Sequence, residues 1–183
     1  MTAMSKSIFL AGREQDIKAV LANRDDRLAL QRKAFQQYPQ ATLLDVKLNI
    51  PGPIKNNRYL QKLFAAGISD LEERLQEKQF AYTTFATWHQ ETGCEQFYIL
   101  KVDAAKVKQL AIAFEDAAEI NRLFDADVLV QNQKQALSRL DNGLLPRKCF
   151  LCNRPAKECA RSRRHSVAEM QEYISKIFAQ TFC

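Results

Sequence analysis

The chain lacks any long apolar run. No segment of its 183 residues approaches the unbroken stretch of about 20 that a membrane helix needs. No membrane partner is expected. The start, Met1 to Leu10, offers only the short patch Ile8-Phe9-Leu10 and no small-residue cleavage site. No secretory leader is expected, and the cytoplasm is the expected location. Glycine and proline are scarce, five of each, which leaves little room for flexible linkers. There are no repeats and no low-complexity segments. Gly-x-Gly-x-x-Gly, the Walker loop and the serine-hydrolase elbow are all missing, so three common catalytic frameworks lose their signatures.

The residues present are 46% hydrophobic, enough for one compact domain over 1–183 with a real core. The five cysteines are an odd number, and Cys149, Cys152 and Cys159 crowd together. In a reducing compartment such a cluster binds metal or stays reduced more often than it forms disulfides. The net charge is +6, unevenly placed: residues 139–183 carry nine basic and four acidic side chains. A basic end of this kind points to an anionic partner. Nucleic acid, a phosphate-rich small molecule and an acidic protein all satisfy it, as does a solvated surface.

Residues 13–38 read as helix, with Ile17, Val20, Leu21, Leu28 and Leu30 among many charges. Residues 41–50 read as a strand ending at Pro51-Gly52-Pro53. Residues 57–79 form an amphipathic helix interrupted near Gly67, with Leu60, Leu63, Phe64, Ile68, Leu71 and Leu75 at helical spacing. Strands are expected at 80–88 and 95–102, joined by a turn at Thr92-Gly93, and again at 110–115 and 122–130. The last fifteen or so residues form a helix. Strands and helices mix without strict alternation. The expected class is α+β: a mixed sheet with flanking helices and a Cys/His-rich C-terminal subregion at about 146–183.

Three patterns carry chemistry. In Leu123-Phe-Asp125-Ala-Asp127-Val-Leu-Val130, side chains two apart share a strand face, so Asp125 and Asp127 project together. Adjacent carboxylates repel, and a divalent cation such as Mg²⁺ relieves them while also holding substrate phosphates. This is the Asp-x-Asp arrangement of nucleotidyltransferases; a solvated strand edge is the bland alternative. A third carboxylate is open among Glu115, Asp116 and Asp45. Second, Ile50-Pro-Gly-Pro-Ile-Lys55-Asn-Asn-Arg58 leads a rigid turn into a helix. Lys55 and Arg58 oppose the dipole there unless an anion sits at that end; an ordinary connection is the simpler reading. Third, Cys149-x2-Cys152-x6-Cys159-x5-His165 supplies the four ligands of a tetrahedral Cys₃His zinc site, though its second half is no standard finger spacing. Reduced buried thiols or a redox Cys-x-x-Cys pair are the alternatives. The run Asn23-Arg24-Asp25-Asp26-Arg27 reads as a solvated helix face, and His89 as a surface or packed histidine.

Read in order, Arg24-Asp-Asp-Arg27 with Gln31, Pro51-Gly-Pro-Ile-Lys55, Arg122-Leu-Phe-Asp-Ala-Asp-Val128, Ser138-Arg139, Pro146-Arg-Lys-Cys-Phe-Leu-Cys152, and Cys159-Ala-Arg161 with His165 resemble the CitX family. These are the holo-acyl-carrier-protein synthases of citrate lyase. The likeness runs from about Leu21 to His165. It implies a nucleotidyltransferase-like enzyme that transfers 2′-(5″-phosphoribosyl)-3′-dephospho-CoA from its triphosphate precursor to a serine of the apo acyl carrier protein, releasing pyrophosphate. The resemblance implies Mg²⁺ on Asp125 and Asp127, with Lys55, Arg58, Arg122 and Arg139 as substrate-binding residues. It also implies an acidic carrier protein docking on the basic C-terminal region. Asn121 departs from the pattern, standing where members often carry glycine. Two alternatives from other classes remain: a nucleotidyltransferase-like enzyme with another donor or acceptor, and a zinc-stapled nucleic-acid module. Against the latter, the basic residues lack interleaved aromatics and the Asp-x-Asp would have no role.

Overall fold

A computed structural model describes residues 6–133 and 135–182. Met1 to Ser5, read above for a leader, lie outside the described residues, as do Lys134 and Cys183. Four strands, β1 (Thr42–Leu48), β2 (Tyr82–Gln90), β3 (Gly93–Leu100) and β4 (Phe124–Leu129), form one sheet in the order β2-β3-β1-β4. Every pairing is antiparallel. The expectation of a mixed sheet is therefore corrected, and the physical reason lies in the connections. β2 and β3 join by a tight hairpin, and each helical connection returns the chain in the same direction but skips one position, so β3 lies between β1 and β2, β1 lies between β3 and β4, and all neighbours are antiparallel.

Five helices flank the sheet: α1 (Ile17–Gln37), α2 (Arg58–Glu77), α3 (Ala104–Glu115), α4 (Ala156–Ser162) and α5 (Val167–Phe182). One face of the sheet, with Leu44, Val46, Tyr98, Leu100, Phe124, Ala126 and Val128, packs under α2, α3 and α5. The apolar half of the other face, Leu43, Phe97 and Ile99, packs under Ala34, Leu30 and Phe35 of α1. The remaining half of that second face is charged, and it forms the site described below.

Local chemistry sets the helix starts. Asp16, Asn57 and Asp103 cap α1, α2 and α3 by accepting hydrogen bonds from first-turn amides. The Asp103 cap explains the largest departure from the sequence reading. Residues 110–115, expected as a strand, are the second half of α3. Val107, Leu110, Ala111 and Phe114 recur at helical spacing and are buried, but a window opening at Leu110 sees only an apolar run. Nor is α2 interrupted at Gly67. The helix runs through it, and the missing side chain makes room for the Phe124 ring, against which any Cβ would collide.

The apolar residues of α1 also behave differently from expectation. Ile17 is 79% exposed, and Val20, Leu21 and Leu28 also face out. The inward stripe is Asn23, Arg27, Gln31 and Ala34, which repeats at helical spacing but is polar at three positions. Gly52, at φ +85°, turns the chain after β1 against α5, where a Cβ would lie 2.5 Å from Gln171 Nε2.

Candidate active site and metal clip

The register of β1 brings the charged residues together. Asp45 lies opposite Asp127, and Lys47 lies opposite Asp125 on one side and Glu95 on the other. All five side chains share a face by strand alternation, while Phe124, Ala126 and Val128 are buried on the opposite face. The Lys47 ammonium sits 2.7 Å from Asp127 Oδ2 and 3.3 Å from Asp125 Oδ2. Burial works against that charge, but Asp45, Asp125 and Asp127 outweigh it and raise the Lys47 pKa. Burial likewise opposes ionisation of Asp125, yet Lys47 and Arg147 hold its carboxyl below the ordinary carboxylate range.

Asp45 is the unusual member. It is fully buried, accepts a 2.9 Å hydrogen bond from Gln31, and lies 3.9 Å from Arg27. Its Oδ1 has no hydrogen-bond partner among the described residues. Burial pushes its carboxyl up to about 8, with Lys47 pulling down and Glu95 adding to the rise. A buried, unpaired carboxylate oxygen facing two more carboxylates suits a proton or a hard cation. Arg27 is held by Glu95 through an ion pair and by Asn23 at 2.9 Å. The run read as a solvated face thus sends Asn23 and Arg27 into the site.

The other carboxylates that sequence left open serve the frame. Glu115 accepts the Ala126 amide of the edge strand at 2.8 Å and pairs with Arg139 and Arg147. Asp116 accepts two hydrogen bonds from Arg139. Arg147 bridges inward: it donates to the Phe124 carbonyl at 2.9 Å and reaches Asp125 at 3.4 Å. Arg122 donates to the carbonyls of Lys148 and Cys149 and lies over the Phe150 ring. Arg122, Arg139, Arg147 and Lys148 line one cavity of about 480 Å³.

The first-turn amides of α2 and the Lys55 ammonium have partners within the chain. Asn57 accepts the amides of Tyr59 and Leu60, and Lys55 donates to the Ile50 carbonyl at 2.6 Å. Burial lowers the Lys55 pKa. Arg58 lies on the α2 side of the sheet, where it donates to Tyr59 Oη at 2.7 Å. Of the predicted substrate residues, Arg122 and Arg139 are brought to one cavity and Arg58 is not. His89 faces Cys94, with Nδ1 3.5 Å from the thiol, on the face away from the aspartates. Asn121 has an ordinary negative φ and donates to Asp70 at 2.9 Å, so this position needs no glycine here.

The cysteine–histidine cluster closes as one group. The ligand atoms of Cys149, Cys152, Cys159 and His165 all lie within 4.8 Å of one another. Cys152 Sγ is 3.4 Å from both Cys159 Sγ and His165 Nε2. Tetrahedral zinc with ordinary bond lengths requires edges of about 3.5 to 3.8 Å. Arg163 adopts a left-handed turn, φ +46°, that ends α4 and brings the chain back to His165. His165 and the Arg154 amide hold the Cys152 thiol down at about 6, while burial and then Cys152 push Cys159 up to about 11. This group could hold a metal ion.

Comparison with known proteins decides the family. The model of the CitX family, described as apo-citrate lyase phosphoribosyl-dephospho-CoA transferase, matches residues 15–181. A protein named "Probable apo-citrate lyase phosphoribosyl-dephospho-CoA transferase" from Streptococcus pyogenes serotype M5 (strain Manfredo) is 36% identical over 98% of this chain and 93% of its own. The chain belongs to the CitX family. "Protein CitXG" of Leuconostoc mesenteroides subsp. cremoris is 37% identical over 92% of this chain, which spans only 36% of that longer protein. The transferase of Escherichia coli O1:K1 / APEC is 28% identical over 88% of this chain and 87% of its own.

In this CitX-family chain, sequence reading missed Lys47, Glu95 and Arg147 as parts of the site and undervalued Arg27. Arg27 carried a signal, since Asn23, Arg27 and Gln31 are spaced by four. Lys47 and Glu95 carried none, because their approach to the aspartates depends on which strands are neighbours.

Proposed function

We propose that this chain attaches phosphoribosyl-dephospho-CoA to the apo acyl carrier protein subunit of citrate lyase, at the charged end of the sheet. The observation that carries the reading is the buried Asp45 carboxylate, unpartnered at Oδ1, in register with Asp127 and beside Asp125. A nucleotidyltransferase-like reaction needs such a trio. The serine hydroxyl of the carrier protein attacks the innermost phosphorus of the triphosphate donor. The new P–O bond forms as the bond to pyrophosphate breaks, and the serine proton passes to a site carboxylate.

Asp125, Asp127 and Asp45 are the residues that would hold Mg²⁺, which when bound neutralises charge on the donor's phosphates. An all-oxygen donor set with one orphaned oxygen fits such a hard cation. Arg122, Arg139, Arg147 and Lys148 bind the donor's phosphates in the cavity beside Asp125, and Lys47 orients the two exposed aspartates. Lys55, at the same end of the sheet, is a further phosphate contact. The Cys₃His group holds structural Zn²⁺ and fastens the Arg147 segment to β4. The enzyme works as one domain, residues 1–183, in the cytoplasm, and the basic C-terminal region receives the carrier protein.

Intact-mass spectrometry of the apo carrier protein incubated with this chain, Mg²⁺ and the triphosphoribosyl-dephospho-CoA donor tests the proposal. The expected result is a mass gain equal to the donor minus pyrophosphate, abolished by chelating the metal. No gain with a folded chain and a competent donor overturns it.

A further inference from the structure

Two cavities flank the start of the metal clip, and they share a wall made by Cys149 and Phe150. The first is the cationic one already described, joined to the carboxylate site through Arg147. Its two carboxylates are engaged, Asp116 with Arg139 and Glu119 with Tyr173. The charge of Arg122 is not spent on a carboxylate: the side chain donates to two carbonyls and lies over Phe150.

The second cavity, about 470 Å³, has a different chemistry. Its wall is mostly apolar, built by Pro51, Phe150, Ala156, Ala160, Val167 and Met170. Polar groups are few, Asn49, Ser166 and a single cation, Arg163, and Cys149, Cys159 and His165 of the clip complete the enclosure. Val167 is 47% exposed at the start of α5. The volume and the lining, apolar with a few polar groups, are those of a small-molecule site. Neither the carboxylates nor the cationic cavity accounts for it.

The donor proposed above has two unlike ends. One is a ribose carrying the triphosphate. The other is an adenosine diphosphate extended by pantetheine, an uncharged arm of methylenes, a dimethyl group and two amides. A polyanion gains from the four cations of the first cavity, whereas the arm gains only from apolar surface with a few hydrogen-bonding groups. The order of sites along the molecule is carboxylates, Arg147, cationic cavity, Phe150 wall, apolar cavity. It runs in the same sense as the donor from its reactive phosphorus to its thiol.

We propose that the apolar cavity between α5 and the metal clip binds the pantetheine arm of the coenzyme donor. This rests on the transferase reading. Phe150 then divides the phosphate-binding part of the site from the arm-binding part. The cavity makes the chain select a coenzyme-type donor over a plain nucleotide, because only the former fills both spaces.

The test compares dephospho-CoA with ADP, its armless fragment, by titration calorimetry on the full chain with Mg²⁺. The wild type is expected to bind dephospho-CoA at least about ten-fold more tightly than ADP, a gap that several buried methylenes supply. Met170→Trp fills the cavity and should reduce the gap to less than about three-fold with ADP affinity unchanged. Val167→Trp, at an exposed position that does not threaten folding, should narrow the gap in the same direction. Equal affinity of the wild type for both ligands overturns the inference, and so does a gap that survives in both variants. The transfer assay separates this from the reaction itself. Transfer without a dephospho-CoA preference removes the subsite and leaves the reaction. A preference without transfer removes the reaction and leaves a coenzyme-binding cavity.

Discussion

Replacing Asp45 by asparagine should stabilise the chain while abolishing transfer. The fully buried carboxyl, pushed up to about 8, resists ionisation in the folded state. An acid whose pKa rises on folding favours the folded state fully below its unfolded value near 3.8 and loses that contribution as pH climbs through about 8. At about 1.4 kcal/mol per unit the ceiling is on the order of 5 kcal/mol. The realised gain is smaller, because Lys47 and Arg27 lose an anionic neighbour, although Asp127, Asp125 and Glu95 still pair them. Asparagine also keeps an oxygen for Gln31. A net advantage of about 2 kcal/mol corresponds to a Tm about 4–8 °C higher for a chain of this size. The assay is thermal melting of wild type and Asp45→Asn from pH 4.5 to 8.5. The difference should be smallest at the acid end and reach its plateau above pH 8. Adding Mg²⁺ should raise the Tm of the wild type and leave the variant unmoved. A variant that melts lower at pH 8.5, or an advantage that does not change with pH, would refute the reasoning.

Asp125→Asn and Asp127→Asn should each cut transfer by about 100-fold or more while the Tm moves little; near-normal transfer in either removes that residue from the site. Elemental analysis of the purified chain should find about one zinc per chain, and Cys152→Ser should lose it together with several degrees of Tm. Full stability without metal would refute the clip. Arg27→Ala strands Glu95, which is 3% exposed, and should cost about 3 kcal/mol in denaturant melts. The double variant with Glu95→Gln should recover part of that loss, and strict additivity would mean the pair is not coupled. Gly67→Ala gains about 1 kcal/mol of helix propensity but drives a methyl into the Phe124 ring, so it should destabilise on balance. A more stable Gly67→Ala chain would show that α2 and β4 pack less closely than described.

Period and punctuation carried much of the fold. The elements α2, α5 and β4 were legible because each buries one face in a repeating pattern, β1 and β3, buried on both faces, stood out as apolar runs bounded by turns, and α1 was found from apolar residues that mostly face out. The failures share a cause. The apolar end of α3 looks like a strand when the Asp103 cap is outside the window. Gly67 looks like a breaker because its partner, the Phe124 ring, is contributed by a strand some sixty residues away.

The candidate site divides along the same line. Asp125 and Asp127 could be placed on one face from sequence because two residues on a strand suffice for that statement. The same alternation places Asp45 and Lys47 on one face of β1, but it does not say what stands opposite. Only the sheet order, with β1 between β3 and β4, brings Glu95 to one side of Lys47 and Asp125 to the other. That order also explains how the site tolerates its charges. β1 is interior to the sheet, so Asp45 is covered by neighbours on both sides and by α1 above, while Asp125 and Asp127 on the edge strand stay about one-third exposed. The three carboxylates are thus unequal by position. Burial pushes the interior one up to about 8, whereas Lys47 and Arg147 hold Asp125 below the ordinary carboxylate range. A trio split in this way sets one buried member that resists ionisation behind two partly exposed members that face outward, where an incoming phosphate would arrive.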